Sequence, residues 1–252
     1  MEKEEKMPNY KIVIAYDGTR YKGWQSQKST DATIQGKLQD ILEKTAGYPV
    51  DVIGSGRTDA GVHAKGQVAN FHLKEQIDER KLLETLNQYL PEDIAVLSLE
   101  EVEERFHSRF QAKEKTYMYR LHTSKIPDVF ERKYVYTYTE PLHLENMKKA
   151  AAYMTGTMDF TSFCANKHMK KSAVRSVYAI DFQITEKEID LIYRGNGFLQ
   201  NMVRIMTGTL LEVGMGKKKP EDVPMILAEK NREAAGFTAP AQGLVLLEVK
   251  YD

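Results

Sequence analysis

Residues 10–102 alternate between two hydrophobic periods, and the order of that alternation restricts the fold more than any single residue does. "YKIVIAYDG" (10–18) is rich in β-branched and aromatic side chains and closes on a turn signal, which predicts a strand. In "TIQGKLQDILEKTAG" (33–47), Ile34, Leu38, Ile41, Leu42 and Thr45 fall on one helical face, and Gly47 supplies the stop. "VDVIGS" (50–55) and "QVANFHL" (67–73) read as strands on either side of a glycine-rich loop. "DERKLLETLNQYL" (78–90) is an amphipathic helix opened by Asp78 and ended by Pro91, and "IAVLSLEEV" (94–102) is a strand. The order is β-α-β-β-α-β, the ferredoxin-like split arrangement.

The second half repeats this plan. Strands are expected at 115–123 and 133–139, a helix at 142–156, and a hairpin from 174–185 to 188–195. A long helix at 197–214, a short one at 220–230 and a last strand at 244–251 complete it. The expectation is an α+β fold of two ferredoxin-like-derived α/β halves, with mixed, mainly antiparallel sheets and a cleft where the halves meet. Residues 1–9 are expected as a disordered lead-in, 10–108 as the half carrying the glycine-rich loop, and 109–252 as the other half.

The chain has 252 residues, of which 42% are hydrophobic, enough for one large domain or two small ones with real cores. Lys+Arg and Asp+Glu both number 36, so bulk charge cannot drive binding to nucleic acid or membrane, although a basic patch on one face remains open. The single cysteine, Cys164, excludes an internal disulfide and a cysteine-built zinc site. With a charged start, "MEKEEKMPN", in place of an apolar leader, this composition fits a reducing cytoplasm. No stretch reaches the roughly 18 apolar residues of a membrane span.

The loop "GSGRTDAGVHAKGQV" (54–68) sets Asp59 among glycines that permit sharp bends. Asp59 either bonds its own turn amides or is presented as a functional group. A dinucleotide fingerprint would need Gly at position 59, and no phosphate-loop Gly-Lys-Ser/Thr exists, so both of those readings are dismissed. His63 and His72 lack a matching acidic partner, so no metal is expected. A Ser55/Asp59/His63 hydrolase triad is possible on composition, but Ser55 lacks the nucleophile-elbow signature.

The helix at 197–214 is apolar all round, which predicts burial on most sides, yet Arg204 sits in its middle. The arginine either snorkels to solvent or pairs with a carboxylate, for which Asp59 is the candidate. In "FHSRFQAKEKTYMYRLH" (106–122), alternation puts Tyr117 and Tyr119 on one strand face, with Met118 and Arg120 on the other. Arg105, Arg109, Lys113, Lys115 and Arg120 interleave with Phe106, Phe110, Tyr117 and Tyr119, a mixture suited to phosphates and stacked bases of RNA. The plainer alternative is a half-buried strand with a solvated face. Basic clusters at 166–175, which include Lys170 and Lys171, and at 216–221 favour a polarised field, partly offset by "EEVEE" (100–104). "RGNGFLQN" (194–201) partly matches an RNA-recognition signature, but Asn196 and Asn201 stand where stacking aromatics belong.

Seven blocks carry a resemblance. "YDGTRYKGWQSQ" (16–27), "TIQGKL" (33–38), "GSGRTDAGVHAKGQVANF" (54–71), "FHSRFQAKEKTYMYRL" (106–121), "DFTSFCA" (159–165), "GFLQNMVRIMTGTL" (197–210) and "FTAPAQGLVLLEV" (237–249) resemble, in order, the TruA-type tRNA pseudouridine synthases. The resemblance implies isomerisation of uridine in the anticodon stem-loop of tRNA, roughly at positions 38 to 40. It implies no cofactor, a central active-site cleft and a homodimer that holds tRNA. By motif, Asp59 matches the catalytic aspartate, Arg57 the arginine that helps extrude the target base, and Tyr117 the tyrosine that stacks on the base and takes or relays its C5 proton. Arg204 matches the basic partner of the aspartate. Arg57, Tyr117, Arg109, Lys115, Lys170 and Lys171 are expected to bind substrate. "KT" before Tyr117 and the lysine-rich 166–175 depart from the family pattern and bear on substrate range. A non-catalytic tRNA-binding module is the alternative of a different class.

Overall fold

The computed structural model describes residues 7–166 and 171–251. The chain forms two compact units, one of residues 1–112 and 246–252, the other of residues 113–245. The fold is α+β, with mainly antiparallel strands and, among the described residues, five α-helices.

The first unit contains β1 (Asn9–Tyr16), α1 (Ile34–Ala46), β2 (Ile53–Gly54), β3 (His63–His72), α2 (Glu79–Tyr89) and β4 (Ile94–Val102). The last strand, β10 (Leu244–Lys250), carries the chain back into it from residue 246. β1 is central, antiparallel to β3 on one side and to β4 on the other, and β2 is antiparallel to β3. This is the strand arrangement that the split β-α-β-β-α-β order requires. Tyr10, Ile12 and Ile14 alternate inward from β1 and are fully buried with Phe71 of β3, Leu38 of α1 and Leu86 of α2. Thr33 caps α1 by accepting from Gly36 N–H, and Gly47 ends it in the left-handed region at φ 78°. Asp78 caps α2 by accepting from Lys81 N–H.

The strand expected over 50–55 is reduced to two residues, and β3 starts four residues before position 67. Both differences have one cause. β2 pairs only with Asn70 and Ala69 at the far end of β3. β10 also neighbours β3, and a Cβ on Gly66 would come within 2.5 Å of the Leu247 carbonyl oxygen. A local pattern contains no trace of a strand that arrives from nearly 180 residues away.

The second unit contains β5 (Glu114–His122), β6 (Tyr136–Thr137), α3 (Leu144–Ala152), β7 (Gly156–Asp159), β8 (Val174–Ile184), β9 (Glu188–Gly195), α4 (Met202–Gly214) and α5 (Asp222–Glu229). Its strands run β5-β9-β8-β7, each antiparallel to the next, with β6 parallel to β5. The order β5-β9-β8 matches β1-β3-β2 of the first unit, as duplication of one plan requires.

Three boundaries differ from expectation. The strand over 133–139 shrinks to Tyr136–Thr137, and the helix over 142–156 stops at Ala152, leaving Gly156 to open β7. The helix over 197–214 begins only at Met202, because Asn201 takes the left-handed conformation at φ 58° and breaks the path before it. From there α4 is buried nearly all round, as its apolar surface predicts. No helix among the described residues is long and apolar enough to cross a membrane. Residues 167–170 of the basic cluster, Lys170 among them, and residues 1–6 of the expected lead-in lie outside the described residues.

Candidate active site

In the first unit the segment 16–24 folds against the glycine-rich loop and fixes its backbone. Thr58 carbonyl accepts from Trp24 N–H at 3.1 Å, and Tyr21 carbonyl accepts from Gly61 N–H at 3.3 Å. Thr58 and Tyr16 hydroxyls bond each other at 2.8 Å. Burial pushes the Tyr16 phenol well above its ordinary value, so it stays a hydroxyl at neutral pH. Glycines make this approach possible. A Cβ on Gly18 would lie 2.0 Å from the Val62 carbonyl oxygen, and one on Gly54 would strike the buried Trp24 indole at 2.6 Å.

Asp59 begins the turn this framework holds. Its carbonyl accepts from Val62 N–H at 3.1 Å, and Gly61 takes the positive φ of 76° that the third turn position needs. The Asp59 side chain is half-buried and Arg57 is exposed. Arg57 and Arg109 line one cleft of about 210 Å³, with Trp24, Gln25, Gln35 and Asp51.

The triad reading of this loop does not suit its geometry. Ser55 is fully buried, and its hydroxyl donates to Gln67 Oε1 at 2.7 Å. His63 is buried, and its Nδ1 accepts from Gly18 N–H at 3.1 Å, which makes it a fastener of the 16–24 segment. Asp17 Oδ1 stands equally near that nitrogen. The Gly18 bond fixes Nδ1 as the acceptor when the ring is neutral, so the backbone contact is the structural one.

In the second unit Tyr117 and Tyr119 do share the inner face of β5. Tyr117 is buried and meets Phe198 edge-on, with ring centres 5.3 Å apart. Tyr119 donates to the Pro240 carbonyl at 2.8 Å, and burial pushes its phenol up. Lys115 is half-buried opposite Gly195, and Lys171 is exposed. Arg120, expected among the RNA-facing cations, is instead held by Glu131 at 2.6 Å and Glu188 at 3.2 Å.

Arg204 sits in the first turn of α4 with its head group aimed by two acceptors. Its Nε donates to the Ala239 carbonyl at 2.7 Å and its Nη1 to Asn201 Oδ1 at 3.0 Å. The segment 236–239 reaches α4 through paired small residues. A Cβ on Gly208 would fall 1.8 Å from the Phe237 carbonyl oxygen, and one on Gly236 would fall 2.6 Å from Thr209 Cα.

Trp24 and Phe198 are residues that pattern reasoning did not single out as site members. The signals were present: Gly23 beside the chain's one tryptophan, and an aromatic at the start of the apolar helix.

A family model described as tRNA pseudouridine synthase matches residues 12–111 and 150–252, which include Arg57, Asp59, Arg109 and Arg204. The chain belongs to the tRNA pseudouridine synthase family. The family comprises isomerases acting on tRNA. Tyr117 and Lys115 fall between the two matched stretches, but full-length relatives span them. A tRNA pseudouridine synthase A of Bacillus sp. (strain KSM-64) is 47% identical over 97% of this chain and 100% of its own length. A tRNA pseudouridine synthase A 1 of Clostridium tetani is 46% identical, and a tRNA pseudouridine synthase A 2 of Bacillus cereus 44% identical, over the same shares.

Proposed function

We propose that this tRNA pseudouridine synthase isomerises uridines in the anticodon stem-loop of tRNA, roughly at positions 38 to 40, as a cytoplasmic homodimer with Asp59 as nucleophile. The observation that carries the reading is the Asp59 turn, whose backbone is fixed on several sides while Asp59 stays half-exposed, two residues along the chain from exposed Arg57.

The reaction needs what this chain provides. The bond from uracil N1 to ribose C1′ breaks, the base turns, C5 bonds to C1′, and the C5 proton leaves while N1 gains one. No electron donor or group donor enters the balance. An ionised carboxylate assists by attacking the base or by supporting departure of uracil from the ribose carbon. Arg204 is proposed as the basic partner that keeps Asp59 ionised and aimed, on the motif match and on the need of a carboxylate for a counter-charge. Tyr117 is proposed to stack on the base and to take or relay the C5 proton. The target lies in a stacked stem, so it must be flipped out at a cost of a few kcal/mol. Arg57 is proposed to fill the gap it leaves. Arg109, Lys115, Lys170 and Lys171 are proposed to hold the phosphate backbone.

The test is pseudouridine mapping on treated tRNA transcripts by carbodiimide adducts and primer extension. Stops at roughly positions 38 to 40 are expected, and tRNA binding without pseudouridine would instead mark a non-catalytic binder. Asp59→Ala should lower tritium release from C5-labelled tRNA by on the order of 10⁴-fold while tRNA binding persists. Substantial turnover by that variant would remove Asp59 from the nucleophile's role.

A further inference from the structure

The turn at 106–111 holds two phenylalanines in opposite circumstances. Phe106 is packed, its ring 5.1 Å from the Tyr251 ring with the Lys11 ammonium 5.9 Å away. Phe110, four residues on, is 75% exposed. Its ring rests against the His107 imidazole, with centres 4.1 Å apart and planes 33° from parallel. An exposed phenyl ring on a flexible loop would mean little, since single apolar side chains on surfaces are common. This one sits on a turn closed by its own hydrogen bonds.

His107 Nδ1 accepts from the backbone N–H of Arg109 at 3.1 Å and of Phe110 at 3.3 Å. His107 N–H donates to Gln111 Oε1, and Gln111 N–H donates to the His107 carbonyl, each at 3.1 Å. Four bonds thus close the turn on itself. Ser108, fully buried between His107 and Arg109, rivets it to the unit. Its N–H donates to Asn70 Oδ1 at 3.0 Å, its hydroxyl to the Ile53 carbonyl at 2.5 Å, and its carbonyl accepts from the Tyr251 hydroxyl at 2.7 Å.

The surroundings define what the ring can receive. "RFHSRFQA" (105–112) contains no acid; Arg105 and Arg109 are exposed, and Arg109 also lines the cleft that Arg57 lines. One exposed aromatic face flanked by two arginines sets a π-surface beside guanidinium groups. It matches a nucleotide, whose base stacks on a π-face while its phosphate meets a guanidinium.

We infer that Phe110, backed by His107, is a stacking platform for an unpaired or end-stacked tRNA base outside the reacting position, with Arg109 binding an adjacent phosphate. The inference rests on the tRNA-modifying reading above. Fixing the turn in advance removes most of the ordering cost that a mobile aromatic would incur on binding.

The experiment compares wild type, Phe110→Ala, Phe110→Tyr and Arg109→Ala for the Kd of an unmodified full-length tRNA transcript across a salt series. Phe110→Ala should weaken binding by about 5- to 100-fold without changing the salt slope, since no charge is removed. Phe110→Tyr should stay within about twofold of wild type, because the π-face remains. Arg109→Ala should reduce the slope of log Kd against log salt by about 0.7–0.9. Wild-type affinity in Phe110→Ala, with wild-type enzyme forming pseudouridine on the same transcript, overturns the platform and leaves the functional reading standing. Weakened binding that comes with a lowered Tm and is not restored in Phe110→Tyr also overturns it, by marking the ring as structural. Wild-type protein that neither binds nor modifies tRNA overturns the functional reading itself, and the platform with it.

Discussion

The turn carrying Asp59 and the helix start carrying Arg204 are built on opposite plans. The Asp59 turn has its backbone fixed by Trp24 N–H to the Thr58 carbonyl, Gly61 N–H to the Tyr21 carbonyl and Val62 N–H to the Asp59 carbonyl. Around Arg204 the helix already fixes the backbone, and the guanidinium itself donates to the Ala239 carbonyl and to Asn201 Oδ1. The side chains explain the difference. Aspartate has two rotatable bonds, so placing its Cα nearly places the carboxylate. Arginine has a long flexible stem whose entropy is large, so its head must be held directly. Both plans use glycine for the same purpose, close approach of two backbones.

Those glycines give the largest test. Gly208→Ala puts a methyl 1.8 Å from the Phe237 carbonyl on a buried helix, and Gly18→Ala puts one 2.0 Å from the Val62 carbonyl beside the loop. Gly208→Ala should cost about 3 kcal/mol or more in urea unfolding, because neither the packed helix nor segment 236–239 can move far. Gly18→Ala should cost less stability, about 1–2 kcal/mol, since a loop yields, yet should lose most tritium release as the Asp59 turn shifts. Equal stability losses with activity kept in Gly18→Ala would erase the distinction between the two plans.

Asn201 supplies the next test, because it has two duties that substitution separates. Asn201→Gly tolerates φ 58° and loses only the bond to Arg204, whereas Asn201→Ala loses that bond and adds about 1 kcal/mol of left-handed strain. Both variants should show reduced turnover in tritium release, but only Asn201→Ala should show a clearly lower Tm. Full activity in Asn201→Gly would mean that the Asn201 bond is not needed to aim the guanidinium.

The smallest effect concerns the hydroxyl between β1 and the loop. Tyr16→Phe removes the 2.8 Å bond to Thr58 at a buried site and should cost about 1 kcal/mol in chemical unfolding. Turnover should fall only slightly, since the backbone bonds to the turn remain. A large drop in turnover would show that the Asp59 turn depends on this side chain more than on its backbone contacts.

Much of this was readable from residue order. The 3.6-residue spacing of Ile34, Leu38, Ile41 and Leu42 and the alternation of Tyr10, Ile12 and Ile14 are local consequences of helix and strand geometry, and all seven side chains are buried. Gly47 and Asp78 end and begin helices as their conformational preferences require. The opposite faces of Tyr117 and Arg120 followed from the period of two. Arg120 shows where such reading stops. Its place among aromatics looked like RNA contact, but Glu131 and Glu188, 11 and 68 residues away, already hold it.

The sequence by itself determined the two repeated α/β plans, the family and the residue types of the candidate site, because periodicity, capping and motif order are properties of neighbours along the chain. Tertiary structure decided the rest: that β2 keeps only two residues, paired with β3, that α4 starts at Met202, and that Ser55 is a buried donor to Gln67. It also decided that Phe110 is an exposed ring on a riveted turn while Phe106, in the same motif, is packed away. Each of these depends on which distant group occupies a sheet edge, a backbone acceptor or one face of a ring, and that is fixed only when the chain closes on itself.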